Sequence, residues 1–282
     1  MIVFGSEIVL WQAFLLTFIS FVVGLLGGFV GLALGTIRLP ALLLLGVTAP
    51  TAAGTNILVS SLASLTGAFR HFREGRVDTR IVLVMGVPAF IGAFIGGLAS
   101  GKIPETTLLV AAGVLVFWQG VEFLASSKFL RPPSAPLSSQ RKESVVEARG
   151  IFSRNRMLAE GSIGLSVGLL GGAVGLILGS IRLPALIRIL KVDPRVAAGT
   201  NLFIGFLMGA VGWVGHLLQG HVDYFLLLLM GPAAMVGGYY GARMTGRVTL
   251  DRLIITMGLV LTVVGALLIV QAFTGATAWK PV

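Results

Sequence analysis

Apolar residues run along this chain in blocks about as long as a bilayer is thick, and polar residues gather in short stretches between them. Residues 8–34, 81–100, 106–124, 163–178, 225–242 and 253–270 are such blocks, and 57–69 is a shorter one rich in small and hydroxyl side chains. Uncharged runs near 20 residues predict membrane-spanning helices. Glycines at Gly24, Gly27, Gly28, Gly31 and Gly35, and a GxxxG pair at Gly92 and Gly96, predict helices packed closely on one another or broken along their length.

The pattern occurs twice. Gly27–Pro40 reads GGFVGLALGTIRLP and Gly171–Pro184 reads GGAVGLILGSIRLP; AAGTN and a G-x-x-x-H-x-x-x-G-x-V-D segment follow in both copies. An internal duplication of this strength divides the chain into a first transmembrane repeat (1–126), a linker (127–156) and a second transmembrane repeat (157–282). The linker is proline-, serine- and arginine-rich, polar and flexible by composition. The spacing between copies is 144 residues at the first motif and 145 from Val47 onward, so one residue is gained inside the short segment after the Gly-Thr or Gly-Ser break.

Charge sets the orientation of the halves. The segment 70–80 carries four arginines and its counterpart carries none, whereas Arg188, Lys191 and Arg195 answer an uncharged loop in the first half. Inverting the halves puts about 17 Lys and Arg on one side, with Lys102 and Lys280 on the other. Inversion requires an odd number of crossings per half. The expectation is an all-α polytopic membrane protein of two inverted repeats, about five plus five helices, some short or broken at the GT/GS-IRLP motif. The alternative is four plus four with re-entrant half-helices.

Composition agrees. The chain is 56% hydrophobic and only 11% charged, against about 25% charged in soluble domains. Its net charge of +10 lies in inter-span segments, which the positive-inside rule explains without nucleic acid. The absence of cysteine excludes disulfides, thiolate chemistry and Cys-ligated metals. No Lys or Arg precedes the first apolar run, an arrangement unlike a signal peptide and one that suggests a non-cytoplasmic N-terminus.

The sharpest chemistry is Arg38 and Arg182, one guanidinium inside each apolar break. A charge there costs from about 3 to over 10 kcal/mol, so it is rare and usually functional. A guanidinium fork matches sulfonate, sulfite or carboxylate oxygens, although snorkelling or a structural role at helix ends would also explain it. Thr36 and Ser180 sit in the same breaks. Thr55, Asn56, Thr200 and Asn201, in the AGTN segments, are expected as helix caps whose free N–H groups face an anion, or as plain caps or interhelical bonds. His71 and His216 are candidates for proton coupling or for hydrogen-bonded residues at span ends. Asp78 and Asp223 read as caps of the following helices. No catalytic motif, cofactor motif or metal cluster is present in the sequence, so an enzyme is not expected.

The glycine-rich GGFVGLALG…LP, AAGTN and GAFRHFREGRVD motifs, in order in both halves, resemble the TauE/SafE family of sulfite and sulfonate exporters. The resemblance covers the chain outside the linker. It implies a prokaryotic cytoplasmic (inner) membrane protein, multi-pass, that exports small organosulfur anions such as sulfite or sulfoacetate; the loop charges place the linker 127–156 on the cytoplasmic side. The family pattern usually has an apolar residue where Arg38 and Arg182 stand, which leaves the anion open. The function expected is a secondary transporter working by alternating access. The alternatives are a passive anion channel, a transporter of a small carboxylate, or a non-transporting membrane assembly or lipid-modifying protein. The expected partners are a small anionic sulfur-containing substrate and the lipid bilayer, with no cofactor and no nucleic acid; a homodimer is allowed.

Overall fold

The computed structural model describes residues 8–30, 32–126, 154–244 and 250–274. These residues are almost entirely helical. The first half holds α1 (Leu10–Val30), α2 (Gly35–Leu44), α3 (Ala49–Arg73), α4 (Thr79–Ser100, with a π-helical turn at Val82–Gly86) and α5 (Glu105–Ser126). The second holds α6 (Arg154–Val174), α7 (Gly179–Pro184, continued by a π-helical turn at Ala185–Ile189), α8 (Pro194–Leu218), α9 (Tyr224–Met244) and α10 (Leu250–Thr274). Eight of these helices are long and apolar enough to cross a membrane. Most of the linker, 127–153, lies outside the described residues, and its last three residues already belong to α6.

The two short helices arise from the glycine breaks. The backbone N–H of Leu32 donates to Gly27 O and that of Leu176 donates to Gly171 O, closing the ends of α1 and α6. Gly175 ends α6 at φ +76°, a left-handed conformation that a residue with a Cβ adopts at a cost. The ten residues of α2 cover about 15 Å, half of a hydrocarbon core. Gln12 near the start of α1 donates to Leu45 O, just past α2, and Ala49 N donates to Glu105. The break and the half-helix therefore return the chain to the end where α1 began, and α3 runs parallel to α1. The residue gained by the second copy is absorbed in the π-helical turn Ala185–Ile189, since a π turn carries one more residue than an α turn. Both half-helices then end alike: Gly46 and Lys191 take positive φ, and the next N–H reaches back to Leu42 O or Leu186 O.

Packing is reciprocal between the halves. α1 lies along α9, and α6 lies along α4; α3 packs on α8, and α5 on α10. Glycines make these contacts backbone to backbone. A Cβ on Gly164, Gly168 or Gly172 would strike the carbonyls of Met85, Ala89 or Ala93, and one on Gly24 or Gly237 would strike Ala234 or Phe21. α3 and α8 are antiparallel, because Gly54 meets His221, Gly209 meets Ser61, and Gly199 meets Arg76. At their crossing Ser61 Oγ donates to Phe206 O (2.7 Å), and these two residues hold equivalent positions in the duplication.

Candidate functional site: two half-helices, each carrying a buried arginine

Gly35 sits against Asn56 and Ser60, near the middle of α3, and Gly179 sits against Asn201 on α8. The N-terminus of each half-helix therefore points into the bundle at about half its height. Unsatisfied N–H groups and the positive dipole end come with it. The fourth residue of each half-helix is the arginine.

Arg38 and Arg182 are among the largest fully buried side chains, at 1% and 0% exposure. Arg38 Nε donates to Ser20 Oγ on α1 (3.1 Å), and Nη1 donates to Ser60 Oγ (3.0 Å) and Asn56 Oδ1 (3.4 Å). Arg182 Nε donates to Asn201 Oδ1 (3.1 Å), Nη2 reaches Asn201 O (3.5 Å), and Nη1 lies 3.0 Å from the Met208 sulfur. Every one of these acceptors is neutral. Among the described residues no carboxylate lies within ion-pair distance of either arginine; the ion pairs are Arg70–Glu74, Arg76–Glu74 and Arg80–Glu160. The last joins α4 to α6 at 3.7 Å, with Glu160 buried. Arg70 and Arg76 hold the Glu74 carboxyl below the ordinary carboxylate range, the hydrogen bond from Arg70 being the larger cause. The bundle interior thus carries two positive charges and two positive helix ends, and among the described residues no carboxylate pairs with either arginine.

Thr36 is buried in the first turn of α2 and its hydroxyl has no hydrogen-bond partner. Ser180 is buried at the corresponding place. Asn56 joins the two breaks: its Nδ2 donates to Gly35 O (3.1 Å) and to Gly175 O of the other half (2.8 Å).

The AGTN segments are not helix caps. Ala53–Asn56 and 198–201 lie in the second turn of α3 and α8, because each helix starts earlier, with proline in its first turn after Thr48 or Asp193. Thr55 Oγ1 accepts from Asp223 N (3.0 Å) and Thr200 Oγ1 accepts from Asp78 N (2.9 Å), two equivalent ties between the halves. Replacing either threonine with valine is expected to cost about 1 kcal/mol, read as a lower melting temperature, because it removes the partner of a part-buried N–H. Asp78 and Asp223 do cap the helices that follow, accepting from Ile81 N (3.1 Å) and Leu226 N (2.9 Å).

The histidines stand apart from the arginines, roughly two to three helical turns farther along α3 or α8. His71 is half-buried and its Nδ1 has no partner. His216 is fully buried, with Nε2 2.7 Å from Gly172 O and Nδ1 3.4 Å from Ser100 Oγ. Sequence reasoning missed Ser20, Ser60 and Met208 as neighbours of the arginines. A lone serine in the α1 apolar run was the available signal for Ser20; nothing marked Met208.

Residues 16–268 match the family described as sulfite exporter TauE/SafE. The chain belongs to the TauE/SafE family. This is a family of membrane transporters and not of enzymes. A Bacillus subtilis (strain 168) protein named probable membrane transporter protein YunE is 26% identical to this TauE/SafE chain over 270 residues, which is 91% of this chain and 97% of the relative. A second from the same organism, probable membrane transporter protein YdhB, is 27% identical over 82% of this chain and 89% of its own length. A Xylella fastidiosa (strain 9a5c) probable membrane transporter protein is 24% identical over 81% and 82%. No solved structure is a significant match to this TauE/SafE protein.

Proposed function

We propose that this transporter moves small organosulfur anions, sulfite, sulfoacetate or related sulfonates, out across the cytoplasmic membrane by alternating access. The anion passes between the inward-pointing ends of α2 and α7, where Arg38 and Arg182 take its acid oxygens from opposite sides. Thr36, Ser180, Asn56 and Asn201 supply neighbouring polar groups. One observation carries this reading: each half buries a guanidinium at a half-helix N-terminus, and the described residues offer neither one a carboxylate. Such a site gains most from an external anion with several oxygens.

The two halves sit inverted, with the Arg70–Arg80 segment, the linker and Arg188–Arg195 on the cytoplasmic side. The positive-inside rule supports this, as does the antiparallel run of α3 against α8. An inside-negative potential then assists export by about 2.3 kcal/mol per charge per 100 mV. Any coupled proton passes by way of His71 or His216.

The test is efflux from proteoliposomes loaded with sulfite, thiosulfate, sulfoacetate or taurine, beside acetate and succinate as carboxylate controls. Saturable efflux of the sulfur oxyanions, faster with the interior negative, is expected. Movement of the carboxylates alone, or of none, sinks the reading, and currents far above carrier turnover make the protein a channel.

A further inference from the structure

The two arginines sit in unequal surroundings, and one side chain makes the difference. Beside Arg38 is a narrow cavity lined in part by Gly24, Gly27, Ser60, Ala63 and Ser64, with about 10 Å³ of room for the centre of a water molecule. That is about enough for a single water. Its walls come from the later parts of α1 and α3, the break between α1 and α2, and Leu202, so it lies on the side of the arginine toward the end of the bundle that bears the Arg70–Arg80 segment.

In the second half the counterparts of Ser60, Ala63 and Ser64 are Gly205, Met208 and Gly209. Where the first half has a methyl group and a cleft, the second has a fully buried thioether against Arg182 Nη1. Ile177 fills the space over Gly205 and Gly209. Because α8 runs antiparallel to α3, the counterpart of the cavity leads to the opposite end of the bundle.

We propose that Met208 is the stopper of the route between Arg182 and the face opposite the Arg70–Arg80 segment, and that it swings aside as the anion passes. This rests on the reading that anions travel beside the arginines. Methionine suits the role: it is unbranched, with three rotatable bonds, and clears a path by changing rotamer while the glycine-packed backbones stay still. Its sulfur is a weak acceptor, so an oxyanion oxygen displaces it from the guanidinium. Ile177, branched at Cβ, lacks that freedom.

The native chain has no cysteine, so a single Ser180→Cys reports on access to the N-terminal end of α7. A membrane-impermeant thiol reagent is applied to one face of the proteoliposome at a time. Met208→Ala is expected to speed labelling from the face opposite the Arg70–Arg80 segment by about tenfold or more, as the open population grows, while Met208→Leu keeps the native rate. Without the reporter cysteine, the alanine variant also passes sulfite at a rate that no longer saturates, unlike the wild type. Where the alanine variant fails to fold, Met208→Val gives the same direction. Equal labelling with and without Met208 overturns the stopper. Faster labelling in a protein whose wild type moves no anion keeps the stopper and removes the transport reading. Unchanged labelling with intact sulfite transport removes the stopper alone.

Discussion

Arg182→Met is expected to raise the melting temperature of the anion-free protein while removing its stabilisation by sulfite. A buried guanidinium with only neutral acceptors keeps a desolvation penalty of several kcal/mol, which no carboxylate among the described residues offsets. An apolar side chain of similar length removes that penalty. The same change deletes the charge that an oxyanion would meet, a loss of about 3 kcal/mol or more, which is at least a hundredfold in Kd. Stability and binding should therefore move in opposite directions. Thermal unfolding with and without sulfite measures both. A lower melting temperature with sulfite stabilisation intact would mean that Arg182 is a structural post. Arg182→Lys should fall between, because an ammonium retains the charge without the planar fork. Arg38 should follow the same sign with a smaller gain, since Ser20, Ser60 and Asn56 solvate it better than Asn201 and Met208 solvate Arg182.

Gly168→Ala should be strongly damaging, and Gly161→Ala two turns earlier on α6 should be harmless. The new Cβ at 168 would lie inside the contact distance of the Ala89 carbonyl, and backbone does not yield as a side-chain end does. Separating α6 from α4 along their length is expected to cost about 3 kcal/mol or more. At Gly161 the nearest atoms, Val84 O and Pro88 Cγ, stand 3.6 and 3.7 Å away, which is ordinary contact. There the gain in helix propensity, up to about 1 kcal/mol, should appear unopposed. Melting temperature and the yield of monodisperse protein in detergent compare the two. Similar values for both variants would refute the close packing of α6 on α4.

Much of this was written in the residues. Duplicated Gly-rich breaks gave the half-helices, because glycine followed by proline and a lone arginine cannot continue an ordinary lipid-facing helix. The arginines stand out in the sequence for the same reason, and the structure buries both. Asp78 and Asp223 were legible as caps because nothing apolar competes at those places. The AGTN segments were misplaced: Pro50 and Pro194 start α3 and α8 a full turn sooner, and first-turn proline was the better signal. The partner of each glycine face was not legible. A GxxxG spacing announces a close approach but not to which helix, and the partners here come from the opposite half. Met208 escaped notice because an apolar residue in an apolar span carries no mark until its neighbour proves to be a guanidinium.

The exchange of partners between the halves bears on how the protein is made. α1 has its main contact surface on α9, which leaves the ribosome roughly 200 residues later, at about 5–20 residues per second. For tens of seconds α1 waits in the bilayer with Gly24 and its neighbours facing lipid or a substitute helix. Fragments 1–126 and 157–282, expressed one at a time, should accumulate as insertion intermediates open to proteolysis, and expressed together they should rescue each other.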